Sequence, residues 1–288
     1  MEENASHYPK LTNGIRDILE DMSKYVVKEN TPIIVIDEYS WCVCALSLLA
    51  KQINLCDSCV LLLENGMEQE AYLIARSQFN NLLWIKYICE DEDGSRIKEY
   101  IYQPNIAQKK QVRKIKDMIS QHADEFDERF HDVTFVEKMD NLIADNDRIL
   151  SEAGVSNLQY KQVFDLAKQN TFLFEMYLTM YNEGSQIEHS DISAVNRYRQ
   201  KILDEYSDTQ IFYMDLSKSD EDVWLKVVGY TLICLFTAFE AFINRINTKE
   251  EHLFEGTALS KPMFDKSKFN DIMIKIYACQ KFLEELQK

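Results

Sequence analysis

Arg76 stands alone in a run of apolar side chains. As a helix, the segment AYLIARSQFNNLLWIKYIC, from Ala71 to Cys89, is apolar on all sides with this guanidinium in its middle. A buried guanidinium needs a carboxylate or a bound anion beside it, because stripping one partner from a buried ion pair costs about 3–5 kcal/mol. At helical spacing Tyr72, Arg76, Asn80, Leu83 and Tyr87 share one face, so a polar line runs down the helix. One reading of that line is a ligand pocket in the core, with Arg76 as anion anchor and His189, from the later stretch EGSQIEHS, as a titratable neighbour. The other is a structural ion pair, with Asp37 or Glu38 of the preceding helix as partner.

Other constellations are thinner. Glu128-x-x-His131 has the i, i+3 spacing of bundle di-iron sites, but such sites need a second copy and two further glutamates. No second copy occurs, so HADEFDERFHD reads as a solvated acidic helix end and neither a metal nor a cofactor is expected. Cys56-x-x-Cys59 lacks the second pair of a zinc site and the strand context of a redox motif, and reads as helix packing. Lys109, Lys110, Arg113, Lys114 and Lys116 form a basic patch that either tracks phosphates or is neutralised by Asp124 to Glu128. No P-loop, dinucleotide-binding or nucleophile-elbow signature is present.

The elements that must position these residues are helices. Seven glycines and four prolines punctuate the 288 residues, most of them where apolar periodicity stops. The spacing predicts helices near 11–28, 32–64, 67–90, 95–121, 132–151, 158–182, 191–206, 219–247 and 266–287, with Thr31-Pro32 starting the second. Asn65-Gly66 is a helix stop with a very short turn, so the helices on either side should form an antiparallel hairpin. The helices at 158–182 and 219–247 are apolar enough to complete a four-helix core, and EGSQIEHS reads as a polar interruption after the first of them. The expected fold is an all-α multi-helix bundle: an N-terminal arm at 1–30, a core domain at 31–247, and a C-terminal loop and helix at 248–288 packed on it.

Composition narrows the class. The net charge of −16 disfavours long-range attraction to nucleic acid or anionic membranes. The longest uncharged apolar run, Val227 to Phe239, is shorter than a membrane span and reads as a buried helix, so no membrane partner is expected. The N-terminus lacks the basic and apolar regions of a secretion signal. The odd number of cysteines, most among apolar neighbours, suits reduced core thiols and a cytoplasmic location.

Three stretches of the chain resemble two known families. The stretch from Leu61 to Ile88 resembles an uncharacterised bacterial helical family in which a short turn leads into a helix with an alanine, an Arg-Ser pair and then an acidic residue. The stretch YNEGSQIEHS resembles that family's later S-x-x-x-H element, here Ser185 and His189. The likeness spans about 32–205 and adds Ser185 to the ligand-site residues Tyr72, Arg76, Asn80 and His189. Asn80 stands where the family's acidic residue usually follows the arginine, which removes a carboxylate that acid–base chemistry would use. Separately, TAFEAFINRI, Thr237 to Ile246, resembles the late core helix of HEPN proteins, common in bacterial toxin–antitoxin and phage-defence systems. Many of these are metal-independent ribonucleases with an arginine and a histidine four to six residues apart; here six residues separate Arg245 and His252. That resemblance implies a histidine moving protons while the arginine holds developing charge, with Glu240 as an orienting carboxylate.

Two functions are therefore expected from the sequence. The first is a cytosolic, self-associating helical protein that binds a ligand or a partner from the same operon, as part of a phage-defence or toxin–antitoxin system. The second is an HEPN-type endoribonuclease acting on RNA through Arg245 and His252.

Overall fold

A computed structural model describes residues 8–35, 37, 40–189, 198–202, 211–214, 220–254 and 264–287. The all-α expectation holds. In chain order the helices are α1 (Tyr8–Asp21), α2 (Ser40–Glu64), α3 (Glu68–Cys89), α4 (Ser95–Gln121), α5 (Val133–Glu152), α6 (Val163–Ala167), α7 (Thr171–Met176), α8 (Asn182–Glu188), α9 (Glu221–Phe254) and α10 (Lys266–Leu286). Two compact units result: Met1–Glu90 with Ala167–Lys288, and Asp91–Leu166.

In the first unit α2 and α3 form the antiparallel hairpin that Asn65-Gly66 predicts. Gly66 turns the chain at φ 68°, a left-handed conformation that costs glycine little. The long helix α9 packs on both members of the hairpin, and α10 packs on α9 and α1. Phe239 and Phe242, from the TAFEAF stretch, meet Phe269 edge-on at 5.8 and 6.5 Å between ring centres. By length and composition α2 and the span Glu221–Lys249 are each apolar enough to cross a membrane, and both pack against α3.

The interior of this bundle carries a chain of polar contacts. Gln78 of α3 donates to the Thr231 hydroxyl of α9 at 3.3 Å and accepts from the Cys56 thiol of α2 at 3.3 Å. One turn on, Asn81 donates to the Leu48 carbonyl at 2.8 Å and to Gln52 at 2.9 Å. All of these side chains are buried.

Three expectations are corrected. The second helix starts at Ser40 rather than after Thr31-Pro32: Lys28 and Asn30 adopt positive φ and Ile33, Ile34 and Val35, whose β-branching disfavours helix, stay non-helical. The helix expected at 158–182 is broken, because the Asn170 side chain caps α7 by accepting from the Leu173 amide, and a π turn at Tyr177–Tyr181 leads into α8. The π turn and α8, at the end of that stretch, lie along α3, and α10 packs on α9 and α1. The helix expected at 191–206 instead contributes strand β1 (Arg199–Ile202), antiparallel to β2 (Ile211–Met214); the remainder of that range lies outside the described residues, apart from Tyr198.

The second unit is a local pair of helices, α4 against α5, and α4 runs through Pro104 without ending there. Ile106, Leu150 and Val155 form one apolar cluster; Val112, Ile119 and Met139 form another. Three cations of the basic patch are charge-paired, and their partners are Asp140 and Asp147 of α5 rather than Asp124 to Glu128. Lys109 and Lys116 bond Asp147 and Asp140 respectively, and Arg113 lies 3.8 Å from Asp147.

Replacing Gln78 with Leu strips partners from Thr231, Cys56 and Gln52 together, and should lower stability in urea unfolding by about 1–3 kcal/mol; an unchanged midpoint would show the polar chain to be dispensable. A second expectation concerns Asp265, which caps α10 by accepting from the Ser267 amide and hydroxyl. Those bonds hold its carboxyl below the usual range, so its contribution is present above the unfolded pKa and lost as pH falls through the folded one. Asp265→Ala should therefore melt below wild type at pH 7, with the gap closing as pH falls below the unfolded aspartate value of about 3.9.

Candidate functional site

Two arginines anchor the sequence-based candidates, and the structure treats them differently. Arg76 lies on the face of α3 covered by α8. The fit between these helices depends on Gly184: a Cβ there would sit 3.2 Å from the Tyr72 ring and 3.3 Å from Arg76 Cδ. EGSQIEHS is thus largely helix, with its glycine at the crossing.

The α8 segment answers the charge of Arg76. Its guanidinium pairs with Glu188, donates to the Tyr181 hydroxyl at 2.9 Å, and lies 4.3 Å from the centre of that ring. Of the two partners expected, Asp37 precedes α2 and makes no ion pair with Arg76, and Glu38 lies outside the described residues. Tyr72 donates to Glu183 at 3.1 Å, and burial drives its phenol far above the ordinary range, with Tyr230 and Glu183 adding to the shift. Lys226 of α9 reaches the same glutamate at 3.3 Å. Asn80, one turn beyond Arg76, keeps a buried Oδ1 without a hydrogen-bond partner, as does the Arg76 Nε.

Ser185 and His189 do not make these contacts. His189 sits exposed at the end of α8, its amide donating to the Ser185 carbonyl at 3.0 Å. The residues that engage α3 are Tyr181, Glu183 and Glu188, which sequence reasoning passed over. Their signal was present: two glutamates and a tyrosine lie at near-helical spacing around a glycine.

Arg245 has no such answer. It is 8% exposed in α9, and among the described residues it forms no ion pair. Its guanidinium lies 5.2 Å from the Trp41 ring centre and its Nε is buried without a hydrogen-bond partner. Burial pushes the nearby Cys89 thiol up, while the charge of Arg245 pulls it down. The backbone of α9 remains helical through Phe254. Positions 245 and 252 are seven residues apart on it, close to two full turns, and so share a face. The His252 side chain lies outside the described residues. Glu240 is exposed and about 140° around the helix from Arg245, so it presents no carboxylate to that guanidinium.

Metal ligation finds no support around Glu128-x-x-His131. The His131 ring bonds the Ala123 carbonyl at 3.0 Å, and among the described residues no group of three or more His, Cys, Asp or Glu side chains could hold a metal ion. Cys56 and Cys59 are buried free thiols facing Gln78 and Thr231, and burial raises both.

The crossing of α8 over α3 is open to a direct test. Gly184→Val should force the helices apart, lower stability by about 1–3 kcal/mol through overpacking, and alter the near-ultraviolet circular dichroism of the tyrosines. A variant as stable as wild type, with unchanged aromatic signal, would show that the close approach is not needed.

No curated protein and no solved structure matches the chain. Residues 43–206 match a family of unknown function, DUF5677. That span contains Arg76, Ser185 and His189, and ends before the segment carrying Arg245 and His252. Because it covers more than half of the chain, the protein belongs to the DUF5677 family of unknown function.

Proposed function

We propose that this protein is a cytosolic helical binding protein that takes an anionic ligand or partner at Arg245. The carrying observation is that Arg245, 8% exposed and with its Nε buried without a hydrogen-bond partner, forms no ion pair among the described residues. A partly desolvated charge without a counter-charge is costly, and the Trp41 face offsets only about 0.5–2 kcal/mol of it. An incoming phosphate or carboxylate would supply what the fold leaves out. Arg76, by contrast, has Glu188 and Tyr181, which supports a structural role for it. The seven free cysteines accord with a reducing compartment. Self-association, an operon partner and a role in phage defence or a toxin–antitoxin system belong to this proposal through the HEPN resemblance alone.

A second reading, metal-independent ribonuclease chemistry with Arg245 and His252, is favoured by one further observation. Both positions lie on one face of a continuous helix. The two readings part on RNA: in EDTA, a nuclease cleaves and loses cleavage in His252→Ala, whereas a binding protein retains intact RNA.

Stability offers an independent check on the first reading. Arg245→Met should leave the melting temperature unchanged or raise it, since it removes an uncompensated charge, while weakening binding of inorganic phosphate by at least about tenfold. A loss of more than about 1 kcal/mol in stability with binding unchanged would make Arg245 a structural residue.

A further inference from the structure

A cavity of about 400 Å³ lies at the opposite end of α9 from Arg245, between the first turns of α1, the last turn of α2 and the start of α9. Its size is within the range of small-molecule sites. One wall is aromatic: Tyr8 and Trp224 stack with ring centres 4.2 Å apart and planes 26° from parallel. Another is the carboxylate of Glu64, at the C-terminal end of α2, the negative end of that helix's dipole.

Arg16 is the cation beside Glu64, and it is divided between two acids, bonding Glu64 at 2.8 Å and Asp57 at 2.7 Å. Two carboxylates therefore share one guanidinium. Glu221 accepts a hydrogen bond from the Tyr8 phenol, and the buried Glu68 acts on the same phenol through space. Burial first, and then these carboxylates, push that phenol up to about 12. The cavity thus joins an aromatic wall to a carboxylate whose one cation, Arg16, is shared with Asp57, and an aromatic face beside a carboxylate is the pairing that recognises ammonium and guanidinium groups.

We infer that this cavity binds a small organic cation, an amine or guanidine with an apolar body that lies along Tyr8 and Trp224 while its charged end meets Glu64. Neutral molecules of the same shape would gain the aromatic contact and forgo the charge. The site is separate from Arg245 and of opposite sign, so its test does not depend on the anion-binding reading.

Phenethylamine and 2-phenylethanol share a skeleton and differ in the charged group, which makes them suitable probes. Calorimetric titration of the full chain should show phenethylamine binding at least tenfold more tightly than 2-phenylethanol. Glu64→Gln, which retains a hydrogen-bond acceptor for Arg16, should remove most of that preference; Tyr8→Leu should weaken both probes. Circular dichroism and melting curves establish that each variant is folded. Equal binding of amine and alcohol, an unchanged preference in a folded Glu64→Gln protein, or absence of binding by either probe at millimolar concentration would overturn the inference.

Discussion

The constraint on which the larger unit depends is the satisfaction of Gln78 inside an otherwise apolar core. Its amide must find partners on α2 and α9 at once, and Cys56 and Thr231 supply them. Apolar contacts alone would let three long helices slide past one another at small cost. An amide left unpaired at that depth costs about 1–3 kcal/mol, so the hydrogen bonds fix the axial position of α9 against the hairpin. Asn81, one turn along, does the same for α2 through Leu48 and Gln52.

From that fixed register follow the surfaces where ligands are proposed. The axial position of α9 places Trp224 against Tyr8 at one end of the helix and Arg245 against Trp41 toward the other. One contact joins an aromatic pair to an acidic rim; the other sets a guanidinium on an indole face without a carboxylate. Opposite electrostatic characters are thus held apart along a single rigid element.

Legibility in the sequence followed the range of the interactions. The α2–α3 hairpin was readable because Asn65-Gly66 and the flanking periodicity are local signals. The break between α6 and α7 was not, since it turns on one asparagine cap within a run whose apolar spacing continues. Strand β2, IFYM, was also missed, although its aromatic and β-branched content was a signal. For Arg76 the sequence required an anion and could not say which one. Glu188 is more than a hundred residues downstream, and only the crossing of α8 over α3 brings it near. The isolation of Arg245 was equally hidden, because the absence of a counter-charge is a property of packing and not of spacing.

The division of the chain has a kinetic consequence. The α4–α5 pair lies between α3 and α9 in sequence and is made from near neighbours, so its contacts close short loops. The packing of α3 on α9 joins segments more than a hundred residues apart, and closing so long a loop carries an entropic cost before any core contact repays it. During synthesis the small unit can therefore condense soon after it emerges, while the α2–α3 hairpin waits with an unburied apolar face until α9 is made. The interval before α9 arrives is when this protein is most exposed to aggregation or to chaperone capture.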